Sequence, residues 1–196
     1  RVDTIQVIDI SNSNAKIFEY PIQVYRAPVV MIHGLWGDMS AFETMETTLR
    51  SSHYPNRLTW RTDYYFTNAN SFASNANVVK NAVNSSLLWA RNDNYSAGKV
   101  DLIAHSMGGV LSRLYLQNPI RSQSITLNCY REDIHKIITI NTPHSGSHAA
   151  NLIKSLIGLP LRLVLNLSGR NTNNGAVEDL KVNSNDLTKK PPFRRF

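Results

Sequence analysis

Val100-Asp101-Leu102-Ile103-Ala104-His105-Ser106-Met107-Gly108-Gly109-Val110 reads as an apolar strand, a sharp turn carrying a serine, and the first turn of a helix. Its Ala-x-Ser-x-Gly centre is a variant of the Gly-x-Ser-x-Gly nucleophile elbow, in which a strained strand-to-helix corner exposes the serine Oγ. Residues two before and two after that serine are expected to pack against each other across the corner, so both must be small. Ala104 and Gly108 meet the demand. The pattern is short, and its weight comes from context. A buried-strand run precedes Ser106, and Gly108 to Leu116 continues as a helix that ends before Pro119.

A second element agrees with the first. Pro28 to Ile32 is another buried strand, and it runs into His33-Gly34-Leu35-Trp36-Gly37. Acyl transfer develops an oxyanion, which needs preorganised N–H donors aimed at it. The expected donors are the backbone N–H of Met107, at a helix N-terminus, and that of Leu35 in the glycine loop.

With these two motifs and Thr142-Pro143-His144-Ser145-Gly146-Ser147 after a third strand, the chain resembles the α/β-hydrolase superfamily. The Ala-His-Ser-Met-Gly form is similar to that of small bacterial lipases. The Thr-Pro-His-x-Gly-Ser form is similar to that of triacylglycerol lipases and the GPI inositol-deacylase-like group. Gly175 to Leu180, with Ser184 and Leu187, fits the same families loosely, so the resemblance covers about residues 28 to 188. It implies an α/β-hydrolase fold, with a mostly parallel central sheet and helices on both faces. It also implies ester hydrolysis, with lipids the expected substrates, and a secreted or cell-envelope location.

Along the chain, residues 4–10 and 16–25 read as strands around the Ser11–Asn14 turn. They form either the first hairpin of the fold or the end of a preceding domain, so 1–27 is set apart from a hydrolase domain at 28–196. A helix is expected from Ser40 to Arg50, with Ser40 as N-cap and Glu43 as its capping-box partner. Strand 58–64, helix 72–91, the serine strand 99–105, helix 107–117 and strand 134–140 follow. Strands alternating with helices imply βαβ units. Residues 149–168 are crowded with Leu, Ile and Val, and Pro160 should split them into two short helical pieces. Because lipases commonly carry a cap after this strand, 149–168 is expected to cover the site and to present apolar surface to acyl chains or a lipid interface. An ordinary core helix is the alternative.

The 196 residues are one domain's worth of chain, and 42% hydrophobic content is ordinary for a globular protein. No apolar run reaches the 18 residues of a transmembrane helix. The chain starts at Arg1, which suggests a processed product or a fragment. The single cysteine, Cys129, excludes an internal disulfide framework. Asn84, Asn94 and Asn166 begin glycosylation sequons, which matter only in a eukaryotic secreted protein. Much of the +7 formal charge lies in Lys189, Lys190, Arg194 and Arg195, around Pro191 and Pro192. No nucleic-acid motif accompanies them, so a solvated basic tail is expected and a nucleic-acid partner is not.

A catalytic serine needs a base, and the base an orienting acid. In this fold they follow the serine in the order acid, then histidine. Here the last histidine is His148, and Glu178, Asp179 and Asp186 have none after them. Asp133 and His135 flank the wrong end of a strand. His33 suggests a structural role, His105 an orientation unlike that of Ser106, and His53 a surface loop. His144 lies nearer the site, but the family pattern does not make it the base. His144 and His148 are four apart, with Gly146 and no Glu between them, which argues against a metal site. No cofactor is expected. The expectation is therefore a hydrolase fold truncated after about its sixth core strand and the cap, with the triad Asp and His outside this chain. A remaining C-terminal segment is then a partner, and the isolated chain is inactive. An acyltransferase of the same fold and a non-catalytic binding module are the alternatives.

Overall fold

A computed structural model describes residues 2–9, 16–117, 132–155, 158–170, 172–173, 175–184 and 187. Cys129, Asp186, the Ser11–Asn14 turn and the basic residues after 188 lie outside them. Strands β1 (Val2–Asp9) and β2 (Lys16–Gln23) pair antiparallel over their whole length and form a two-stranded sheet of their own. The main sheet holds β3 (Val29–Ile32), β4 (Thr59–Thr62), β5 (Val100–His105) and β6 (Ile134–Ile140). Its order is β4-β3-β5-β6, with every pair parallel. The connecting helices are α1 (Glu43–Ser51), α2 (Val78–Asn92) and α3 (Met107–Leu116). Beyond β6 come α4 (His148–Lys154), α5 (Leu159–Leu167) and α6 (Gly175–Asp179).

Burial follows from the period of two along each strand. All four residues of β3 are buried, as expected for a strand covered on both faces. Val30 and Ile32 face the larger core, with Val79, Val83, Leu102, Ala104, Val110 and Tyr115. Val29 and Met31 face the other side, against Phe42, Met45 and Leu49. Strand β5 alternates: Val100, Leu102 and Ala104 are buried, while Asp101, Ile103 and His105 are half-buried on the α1 side. Helix α3 buries every residue but Leu114, Ser112 and Arg113 included, so it is covered on all sides.

Four local expectations are corrected. Ser40 is not the cap of α1. A 3-10 turn at Met39–Phe42 precedes that helix, and Asp38 opens the turn by accepting from Ser40 N–H at 2.7 Å. Helix α2 starts at Val78 rather than 72. Asn75 Nδ2 donates to the carbonyls of Thr67, Asn70 and Ser71, holding residues 67–77 in turns that compete with helix. Phe72 still reaches the core. Strand β4 ends at Thr62, because Tyr64 leaves the sheet to stack on His33, with ring centroids 4.2 Å apart. Finally, Pro160 does not break 149–168. It sits in the first turn of α5, where its missing N–H removes no helical bond, and the break falls between Lys154 and Leu159.

Candidate active site

Ser106 stands between β5 and α3 with φ 53° and ψ −125°, a backbone conformation that L-residues avoid. Such a residue costs about 1–3 kcal/mol and persists only where its surroundings over-determine it. Here they do. Ser106 N–H donates to Ile140 carbonyl at 2.9 Å, continuing the β5–β6 ladder, and Gly109 N–H donates to Ser106 carbonyl at 3.0 Å.

Three glycines let other backbone close in. A Cβ on Gly108 would fall 2.4 Å from His33 carbonyl oxygen and 2.5 Å from that of Ile32. The demand for a small residue there thus comes from the end of β3; Ala104 is not among the atoms nearest that position. A Cβ on Gly109 would fall 2.0 Å from Thr142 Oγ1, so the Thr-Pro-His segment rests on the first turn of α3. A Cβ on Gly34 would fall 2.7 Å from Ser106 Cβ, so the loop after β3 lies directly against the serine.

That loop is tied down from outside. Gly37 N–H donates to Gly34 carbonyl at 3.1 Å, and Trp36 takes a positive φ of 58°. Buried Asn68 clamps both sides of the turn. Its Nδ2 donates to Gly37 carbonyl at 2.6 Å, and its Oδ1 accepts from Trp36 N–H at 3.2 Å. The N–H groups of Leu35 and Met107 find no protein acceptor among the described residues.

His33 is fully buried. Its Nε2 accepts from Tyr64 N–H at 3.5 Å, which leaves Nδ1 to donate to Gly34 carbonyl at 2.9 Å. Burial pushes its pKa below 6.5, and both nitrogens are engaged, so the ring is a neutral brace for the loop. The Tyr64 hydroxyl, held protonated by burial, donates to His33 carbonyl.

None of the remaining histidines makes a hydrogen bond to Ser106 among the described residues. His135 Nδ1 lies 2.7 Å from Asp101 Oδ1, but at the beginnings of β5 and β6. Five residues of strand put that pair about 16 Å below Ser106. His105 faces a groove of about 620 Å³ on the α1 side, shared with Phe42, Met45, Leu49 and Ile140. His144 Nε2 lies 3.4 Å from Thr139 Oγ1, and burial and then the nearby Arg113 push its pKa down. Buried Arg113, on α3, donates to His144 carbonyl at 2.5 Å and so fastens 141–147 to the serine's helix. His53 and His148 are exposed. No group of three or more His, Cys, Asp or Glu able to hold a metal occurs among the described residues.

Asn68, Tyr64 and Arg113 escaped sequence reasoning. Asn68 lies in Thr67-Asn68-Ala69-Asn70, an unpatterned polar run in an Asn-rich chain, and only the fold brings it to Gly37.

The PGAP1-like alpha/beta domain family matches residues 23–157, more than half of the chain and all of the geometry above. The chain belongs to this family. Helices α5 and α6 lie beyond the matched part of the PGAP1-like domain. Among solved structures, the domain is similar to the mature form of lipase BlEst2 from Bacillus licheniformis. The two share 20% identity and a TM-score of 0.54 over 79% of this chain and 54% of that one. It is also similar to phospholipase PlaB from Legionella pneumophila, at 17% identity and a TM-score of 0.52 over 82% of this chain and 32% of that one. The chain therefore spans about half the length of the former and a third of the latter. These likenesses show the fold, which is that of the α/β-hydrolases.

Proposed function

We propose that this PGAP1-like domain carries the nucleophile and oxyanion hole of a hydrolase that cleaves carboxylic esters of lipids. What carries the reading is the pairing of a positive-φ Ser106 with a glycine loop pressed against it. Ser106 Oγ attacks the acyl carbonyl carbon while its proton passes to a base. The N–H groups of Leu35 and Met107 then hold the resulting oxyanion. The C–O bond to the alcohol breaks, the alcohol leaves with that proton, and water hydrolyses the acyl-serine. The base and its acid are assigned outside the described residues, since His33 is locked as a neutral brace and His135 lies at the far end of the sheet. Lipid esters are favoured because the similar structures are a lipase and a phospholipase by name. Segment 149–168, which follows the loop at 141–147 directly, is read as the cap over the acyl chain.

The experiment is active-site labelling of the complete protein with a fluorophosphonate probe. Ser106 should be the modified residue, and Ser106→Ala should abolish labelling with the fold retained. Labelling of another serine, or none, would sink the reading and leave a non-catalytic module of the same fold. Product analysis with an added alcohol acceptor separates hydrolysis from acyl transfer.

A further inference from the structure

We propose that α5 docks on an anionic lipid bilayer, lying in the headgroup layer with its outer side in the acyl region. The helix reads Leu159-Pro160-Leu161-Arg162-Leu163-Val164-Leu165-Asn166-Leu167, and none of its residues is buried. At 100° per residue, Leu163, Val164 and Leu167 share one side. They are 62%, 60% and 80% exposed. Leu165 points the other way and packs on the core. The helix is thus attached by one side and offers an apolar crest on the other. Contiguous exposed apolar surface of this kind marks an interaction site.

Charge selects the occupant. Between Asp133 and Glu178 the sequence has no acidic residue, while Lys154 ends α4, Arg162 lies in α5, and exposed Arg170 follows it. A second copy would bring these same cations against themselves. Lipid phosphates complement them, at about 1 kcal/mol for each Lys or Arg near an anionic surface. Shape favours lying over spanning, since α4 and α5 together have the length and composition of a span but meet at 95°. Among the described residues no single helix is long and apolar enough to cross a membrane. Nine residues of helix extend only about 14 Å, against about 30 Å of hydrocarbon. A short helix with an apolar crest and flanking cations is the form that binds in the interfacial plane.

The proposal is independent of the chemistry at Ser106, and Ser106→Ala should bind membranes as the parent does. The test is co-sedimentation of the complete protein with vesicles of phosphatidylcholine alone and of phosphatidylcholine with one part phosphatidylglycerol. Binding is expected on the anionic vesicles, reduced by high salt. Arg162→Gln and Arg170→Gln should each weaken it about fivefold. The triple variant L163S/V164S/L167S should weaken it tenfold or more, with circular dichroism and thermal midpoint unchanged. Two outcomes overturn the proposal. One is absence of binding to anionic vesicles, or binding that the triple variant leaves intact. The other is a triple variant that lowers the thermal midpoint or the oligomeric mass by light scattering, which would make the crest a protein-covered surface.

Discussion

Gly34 lies where a side chain would strike Ser106: a Cβ there would come within 2.7 Å of Ser106 Cβ and 3.2 Å of its Oγ. Gly34→Ala must therefore push the loop or the serine aside. Displacing an oxyanion donor costs about 100- to 1000-fold in rate. Fluorophosphonate labelling of Gly34→Ala should slow by that order, while global stability falls by only about 1–3 kcal/mol, the usual cost of overpacking. Labelling at the parental rate would separate the loop from the chemistry.

The strain at Ser106 should be measurable on its own. Ser106→Gly relieves the positive φ and should raise stability by about 1 kcal/mol, whereas Ser106→Ala keeps a Cβ and should not. Denaturant unfolding compares the three proteins directly. A Ser106→Gly variant less stable than Ser106→Ala would mean the corner is not strained.

Asn68 holds Gly37 carbonyl and Trp36 N–H at once. Asn68→Ala removes both hydrogen bonds from half-buried backbone groups, at about 1 kcal/mol each. The thermal midpoint should drop, and Ser106 labelling should slow because the loop has lost its clamp. Asn68→Asp keeps the acceptor for Trp36 but not the donor for Gly37, and should fall between parent and Asn68→Ala.

Acid should destabilise the fold through His33. Its folded pKa lies below the ordinary 6.5 because of burial, so below pH 6.5 the unfolded chain takes a proton that the folded one refuses. Stability is then full above pH 6.5 and falls as pH drops, by at most about 1.4 kcal/mol per pH unit, until the folded pKa is reached. His144, shifted the same way, adds to the slope. Urea midpoints at pH 7.5 and 5.5 for the parent and His33→Gln provide the check. An unaltered slope in His33→Gln would remove His33 from this role.

The parallel sheet was legible because β3 and β5 are apolar runs ending in motifs whose chemistry demands glycine and serine. The corner at Ser106 follows from the same residues. What escaped is held by polar side chains acting at a distance in sequence. Asn75 turns residues 67–77 away from helix although Phe72 and Ala76 keep the helical spacing. Asp38 outcompetes Ser40 as a cap two residues earlier. Asn68 and Tyr64 act on a loop about thirty residues upstream, a separation at which periodicity carries no information. Pro160 can end a helix or open one, and which it does depends on where the preceding turn closes; here it opens α5.

The amide of Ser106 is anchored on Ile140, the last residue of β6, and β6 is an edge of the main sheet among the described residues. The aim of the serine is consequently set from the margin of the sheet and not from its centre. A slip of β6 by one residue would withdraw that carbonyl and release the corner, while β3 and the core beneath it stayed in register. Whatever steadies this outer strand therefore acts as a remote adjustment screw on the orientation of Oγ.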